Sequence, residues 1–258
     1  MPAREAEATS GARRFSRLAS DCALAVAFLT IVPVRAPHGA LNRAAAWFAL
    51  VGALVGALAG GMRAATEPLF GSTLATVLAI VVLVVVTGGL HQDGLADTAD
   101  GLGVRGDRQR RLAAMRDSAI GVFGALALLG WGLLLLAALA PLSASEAVLA
   151  LIAAGAVGRW TALVHARATP PARTEGLGAA FLPAPAALAF ATATTIGVAV
   201  LACGALLGFV AVAVGLATAA GSTVLARWAL GGRTGDTLGA TVALAEVAVC
   251  MALMSNWR

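Results

Sequence analysis

Phe70-Gly-Ser-Thr-Leu-Ala-Thr-Val-Leu-Ala-Ile-Val-Val-Leu-Val-Val-Val-Thr-Gly-Gly-Leu-His-Gln-Asp-Gly-Leu-Ala-Asp-Thr-Ala-Asp-Gly101 runs from an apolar stretch of membrane-spanning length into three aspartates that have no local counter-ion. About 20 predominantly apolar residues cross the hydrocarbon core of a bilayer as a helix. The stretch therefore predicts a membrane helix delivering charge to its own end. With Leu90–Gly101 helical at about 100° per residue, Asp93, Asp97 and Asp100 share one face within about 60°, and His91 points away. Asp93 and Asp100 then lie about 10 Å apart, too far to grip one small cation together, whereas Asp97 can share one with either neighbour. The spacing suits one or two magnesium-type ions with Asp97 between them; the alternative is a solvated acidic helix start. Gly94 and Gly101 are read as keeping side chains away from the backbone beside the carboxylates. Arg105, Arg108, Arg110, Arg111 and Arg116 follow at once, as an anionic substrate requires.

The rest of the chain fits a membrane setting. Of 258 residues, 60% are hydrophobic and 12% charged, which excludes an ordinary soluble domain. All 18 basic residues are Arg and the net charge is +5, but no exposed domain exists to carry a nucleic-acid interface, so the excess is read as membrane orientation and phosphate binding. Stretches of spanning length fall at residues 44–62, 70–90, 119–140, 146–165, 180–202, 205–226 and 238–254. The expectation is an all-α polytopic membrane protein, one membrane-embedded domain over residues 1–258 with seven spans. Residues 1–20 form a polar cytoplasmic segment. The apolar run Cys22–Val34 is too short to cross and is read as a re-entrant or interfacial helix broken at Pro33. Arg13-Arg14 loosely resembles a twin-arginine signal, but no A-x-A-like site follows. With the N-terminus cytoplasmic, the loops at 91–118, 167–178 and 227–237 face the cytoplasm, and only Arg63 and Arg258 fall on the far side. That orientation implies the cytoplasmic (inner) membrane. Cys22, Cys203 and Cys250 lack metal-ligand spacing and are read as small buried hydrophobes.

Further polar groups need an explanation. Arg159 lies inside the fourth span and Glu246 about two turns into the last, and unpaired charge in hydrocarbon costs several kcal/mol. They are functional candidates, with snorkelling of Arg159 and a structural Arg pair for Glu246 as the competing readings. Two glycine-rich loops, Arg173-Thr-Glu-Gly-Leu-Gly178 and Gly231-Gly-Arg-Thr-Gly-Asp-Thr-Leu-Gly-Ala240, have the composition of a phosphate or metal-phosphate cradle. His38, His91 and His165 share no zinc-like spacing, and His91 stands beside the aspartates. No G-x-S-x-G or G-x4-G-K-[ST] occurs, which removes the main support for hydrolase or Walker-type readings.

These motifs, together with Phe28-Leu-Thr-Ile-Val-Pro-Val34, Met115-Arg-Asp-Ser-Ala-Ile-Gly121 and Gly158-Arg159, resemble those of the adenosylcobinamide-GDP ribazoletransferase family, also called cobalamin (5'-phosphate) synthases. The chain departs from the family pattern at Ile31, at Phe48-Ala-Leu-Val-Gly52 and at Gln92. The resemblance implies transfer of the adenosylcobinamide-phosphate group from adenosylcobinamide-GDP to α-ribazole or its 5'-phosphate, releasing GMP, with magnesium as cofactor. Asp93, Asp97 and Asp100 are then the expected metal ligands, with Asp236 and Asp117 as further ligands or supporting groups. Arg116, Arg173 and Arg233 are the expected phosphate partners, Glu175 holds a ribose hydroxyl or an Arg, and His91 and Arg159 bind substrate. An oligomer is left open. Two alternatives stand beside this one. A CDP-alcohol phosphotransferase also uses stepped aspartates, but here the Arg after Ala and the second D-x3-D of that motif are absent. A transporter is favoured by Arg159 and Glu246 within spans.

Overall fold

The computed structural model describes residues 2–35 and 40–257, with side chains from Ser16 onward. His38 and Arg258 lie outside the described residues. Among the described residues ten α-helices follow in order: α1 Pro2–Leu29, α2 Leu41–Ala44, α3 Phe48–Thr87, α4 Leu90–Gly103, α5 Arg108–Ala114, α6 Val122–Leu139, α7 Ala144–Ala168, α8 Leu177–Ala180, α9 Pro185–Leu230 and α10 Gly235–Trp257. A single 3-10 turn, Ala45–Trp47, joins α2 to α3. Among the described residues no strand forms; Pro171 and Arg233 make one isolated parallel bridge. Among the described residues five helices are long and apolar enough to cross a membrane: α3 with the α2 turn leading into it, α6, α7, α9 and α10.

Two of these five are not continuous. Gly71 (φ 74°, ψ 168°) breaks α3 and Gly204 (φ 79°, ψ 167°) breaks α9, both in backbone that suits glycine alone. Arg63 Nε donates to Thr76 Oγ1 at 2.9 Å. Along an unbroken helix those residues stand about 20 Å apart, so the chain reverses at Gly71. Gly208 likewise faces Val200, whose Cα lies 2.7 Å from where a Cβ would sit, so the chain reverses at Gly204. The helices thus resolve into segments 48–70, 72–87, 122–139, 144–168, 185–203, 205–230 and 235–257. Each overlaps one of the seven apolar stretches read from sequence.

The N-terminal segment differs from expectation. α1 begins at Pro2 and ends at Leu29, so the helix expected from Cys22 to Val34 is the last part of a longer one, and it stops four residues before Pro33. Residues 2–20 are rich in Ala, Glu and Arg, all good helix formers. Ile31 leaves the helix to donate its N–H to Val86 O at 2.9 Å. Asp21 is buried and accepts two bonds from Arg43 (3.1 and 3.2 Å), which ties α1 to α2.

α7 is the central helix, packed against α3, α9 and α10. Its contact with α3 is at backbone distance: a Cβ on Gly52 would lie 2.1 Å from Gly155 O, and one on Gly56 would lie 2.0 Å from Leu151 O. Gly52, Gly56 and Gly60 are spaced four apart, which places them on one helix face and leaves the close approach to dispersion rather than to a hydrophobic driving force that lipid does not supply. At the end of the bundle far from α4, fully buried Arg63 meets Glu67 (2.6 Å), Thr76 and the carbonyl of Leu142 (3.3 Å).

Candidate active site

Consecutive left-handed glycines, Gly88 (φ 61°) and Gly89 (φ 71°), stop α3 at Thr87 and let the chain restart as α4. α4 lies against α10 and α6 at the end of the bundle where the other polar loops gather. Gly94 permits the approach to α10, since a Cβ there would lie 2.7 Å from Asp236 O. Gly101 gives room instead to Met115, 2.4 Å from its Cβ position. Both glycines serve helix packing, and for Gly94 that packing sets Asp236 beside Asp93 and Asp97.

Asp93 is exposed and Asp97 half-buried, and both line a cleft of about 700 Å³ with Thr87, Ser118, Ile120, Ile31 and Leu128. Burial pushes the Asp97 carboxyl up to about 6, and the charges of Asp93, Asp236 and Asp100 add to the rise while Arg173 opposes it. Asp97 therefore sits half-buried among carboxylates whose charge Arg173 only partly offsets. Asp100 is differently placed. Its two oxygens accept the N–H groups of Gly121 (2.7 Å) and Gly124 (2.8 Å), which caps the first turn of α6.

Arg173 approaches from the loop before α8, with Nη1 4.0 Å from Asp236 Oδ2 and Nη2 donating to Leu112 O at 2.7 Å. Burial lowers its proton affinity, Asp236 and Asp97 raise it, and the neighbouring positive charge of Arg116 lowers it. Arg116 and Asp117 are exposed on the loop after α5, where Asp117 accepts the N–H of Ala119 at 3.0 Å. Glu175 is exposed on the Arg173 loop. Arg233 is buried and donates to the carbonyls of Thr169 and Phe181. It braces the two glycine-rich loops, which are also joined through Ala172 N to Arg233 O and Arg233 N to Pro170 O, both 2.8 Å.

His91 and Arg159 lie on the other side of α4, around a cavity of about 50 Å³ walled by Phe28, Phe48 and Phe181. Burial, with the charge of Arg159 second, holds the His91 imidazole well below the usual histidine range, so it is neutral. Arg159 pairs with Glu246 inside the bundle. Each intramembrane charge is the other's partner, which withdraws the observation that favoured a transporter.

The site thus brings together Asp93, Asp97, Asp236 and Arg173, with Arg116 at its edge. Among the described residues no three His, Cys, Asp or Glu side chains are close enough together to hold a metal ion by themselves. The donors are nonetheless hard carboxylate oxygens with charge to offset, and magnesium is usually held by one or two carboxylates with water and substrate phosphate completing its shell. The residues fit such an ion. Sequence reading passed over His165, which hydrogen-bonds the hydroxyls of Thr223 (2.9 Å) and Thr237 (3.3 Å) next to Asp236. The T-x-x-T of Thr234 to Thr237 was the available signal.

Residues 21–254 match the model of a family described as cobalamin-5-phosphate synthase. The chain is 42% identical to the adenosylcobinamide-GDP ribazoletransferase of Rhizobium meliloti (strain 1021) over 250 residues, 90% of this chain and 95% of that one. It is 40% identical to the protein of that name from Sinorhizobium sp over 249 residues, 90% of this chain and 95% of the relative. A third, from Shewanella amazonensis (strain ATCC BAA-1098 / SB2B), is 35% identical over 251 residues, 91% and 94% of the two chains. No solved structure matches.

Proposed function

The chain belongs to the cobalamin-5-phosphate synthase family, and from that membership we propose that it transfers the adenosylcobinamide-phosphate group from adenosylcobinamide-GDP to α-ribazole or its 5'-phosphate. An acceptor hydroxyl oxygen bonds to the cobinamide-bearing phosphorus as the bond to the GMP phosphate breaks; the hydroxyl proton leaves and GMP carries away the electron pair. The observation that supports this chemistry is the concentration of negative charge around Asp97 beside a cationic flank of Arg173 and Arg116.

Asp97, with Asp93 or Asp236, would hold magnesium in this reading, and Asp100 contributes charge while it anchors α6. When bound there, magnesium would offset the diphosphate charge and polarise the bond that breaks. Arg173 and Arg116 hold the phosphates, with forked guanidinium donors that match phosphate oxygens. Asp117, next to Ser118 of the cleft wall, and Glu175, on the Arg173 loop, are both exposed and in this reading meet the polar parts of a large substrate. His91 and Arg159 support the cleft from behind α4. The two glycine reversals support seven crossings, and the gathering of the arginines supports a site on the cytoplasmic face of the inner membrane.

The test is to incubate the purified protein with adenosylcobinamide-GDP, magnesium and either α-ribazole or its 5'-phosphate, and to assay GMP. GMP release that needs both the acceptor and magnesium is the expected result. Release without acceptor would make the protein a hydrolase, and no release with either acceptor would refute the assignment.

A further inference from the structure

His165, on α7, has no exposed surface and meets hydroxyls on every side. Its Nδ1 lies 2.9 Å from Thr223 Oγ1 on α9 and 3.2 Å from Thr169 Oγ1, and these two hydroxyls are 3.2 Å apart. Its Nε2 lies 3.3 Å from Thr237 Oγ1 on α10. The Thr234 N–H donates to Thr237 Oγ1 (3.0 Å), and the Thr237 N–H donates to Thr234 Oγ1 (3.2 Å). This is the reciprocal pattern of a capping box, with a hydroxyl in the place usually taken by Glu or Gln.

Counting protons gives the pattern a direction. A hydroxyl has one proton and two lone pairs. Thr237 donates its proton to the Thr234 carbonyl at 3.1 Å and accepts the Thr234 N–H, so its remaining lone pair needs a donor. His165 Nε2 is the group that faces it. The ring proton therefore belongs on Nε2, which leaves Nδ1 to accept from Thr223, and Thr223 to accept from Thr169. Every hydroxyl proton in the chain from Thr169 to the Thr234 carbonyl then has an acceptor.

Asp236 lies between the two threonines of that cap. We propose that His165 is a positioning residue for the transfer reaction: as a neutral Nε2–H donor it fixes the Thr234–Thr237 turn so that the Asp236 carboxylate faces Asp97 and Arg173. The proposal rests on Asp236 being a cation ligand.

The experiment compares three replacements. A Gln amide sets its N–H where Nε2 stands, an Asn amide stops near Nδ1 and falls short of Thr237, and Phe donates nothing. Free Mn2+ is titrated by EPR on the detergent-purified full chain, and GMP release is followed across a magnesium titration. Loss of one buried hydrogen bond to the turn raises the half-saturating Mn2+ and Mg2+ concentrations about tenfold in His165→Asn and His165→Phe. Turnover at saturating magnesium stays within about twofold, and His165→Gln restores cation affinity to within about twofold of wild type. Thr237→Val reproduces the Asn phenotype and adds nothing when combined with it. The 15N spectrum of the wild-type ring shows the neutral Nε2–H tautomer, a readout that does not depend on any variant folding.

An Nδ1–H or doubly protonated ring overturns the proposal. So does a Gln variant no better than Asn, or lost turnover with cation affinity unchanged. Asp236→Asn separates the two readings. An effect there with none in His165→Asn removes the positioning role alone, whereas no effect there removes Asp236 as a ligand and the positioning role with it.

Discussion

Replacing Asp97 by Asn should make the protein more stable and less active at once, and the size of the first effect follows from the burial of its carboxyl, with the crowding of charge around it adding to the rise. In the folded protein the Asp97 carboxyl is raised from an ordinary 3.8 to about 6. That rise corresponds to about 3 kcal/mol against the ionised form. Because Asp97 is half-solvated, screening reduces the stability effect to about 1–2 kcal/mol. The sign is that of an acid with a raised folded value: the penalty is absent below about pH 4, grows between 4 and 6, and is complete above 6. Asn keeps the shape and removes the charge, so the variant should melt about 2–8 °C higher than wild type at pH 7.5 without magnesium, and the gap should close as pH falls to 4. Added magnesium should stabilise the wild type and close the gap from the other side. Loss of a strong electrostatic contact at the transition state should lower GMP release about 10²- to 10³-fold, and magnesium should not rescue it as fully as it rescues Asp93→Asn. The measurements are thermal melts of the detergent-purified proteins across pH and magnesium, with GMP assays alongside. A variant that melts at or below wild type at pH 7.5, or a gap that ignores pH, would falsify the idea that burial and the neighbouring carboxylates together disfavour the Asp97 charge.

Glu246→Gln leaves the Arg159 guanidinium buried without its counter-charge, at a cost of about 3–5 kcal/mol. Folded yield should collapse, while Glu246→Leu combined with Arg159→Met should recover much of it; size-exclusion profiles decide, and equal yields for single and double variants would count against the pair. A cysteine introduced near Arg105 should react with impermeant maleimide only in inverted vesicles, and labelling from outside intact cells would reverse the orientation. Gly155→Ala drives a methyl to 2.2 Å from Gly52 O and should cost folded protein in a thermal melt, unlike Gly130→Ala, where a Cβ meets nothing within 4 Å; equal melting of the two would remove the close α3–α7 contact.

The membrane fold was legible because apolar runs of spanning length and glycines between them report directly on where helices lie and reverse. Even the bare Gly204 connection marked a true reversal. The site was legible in part. Aspartates at 93 and 97 share a helix face whatever surrounds them, so periodicity sufficed. What Asp100 does depended on α6, whose first turn offers backbone N–H groups that residues 21 and 24 positions later supply. Local spacing carries no information about such a partner. Arg233 shows the same limit: its composition reads as a phosphate ligand, whereas its geometry spends both terminal nitrogens on carbonyls from distant loops. The glycines at 52, 56 and 60 were readable as a small-residue stripe, but only the fold says that Gly155 lies against them.

Asp100 has a mechanical consequence. It fastens α4 to the first turn of α6, an 18-residue helix about 27 Å long, slightly under the thickness of a typical hydrocarbon core. A helix that short answers a change in bilayer thickness by moving its ends, and the end that moves here is joined to the helix bearing Asp97. The expected outcome is that turnover in vesicles of graded lipid length passes through an optimum that Asp100→Ala flattens.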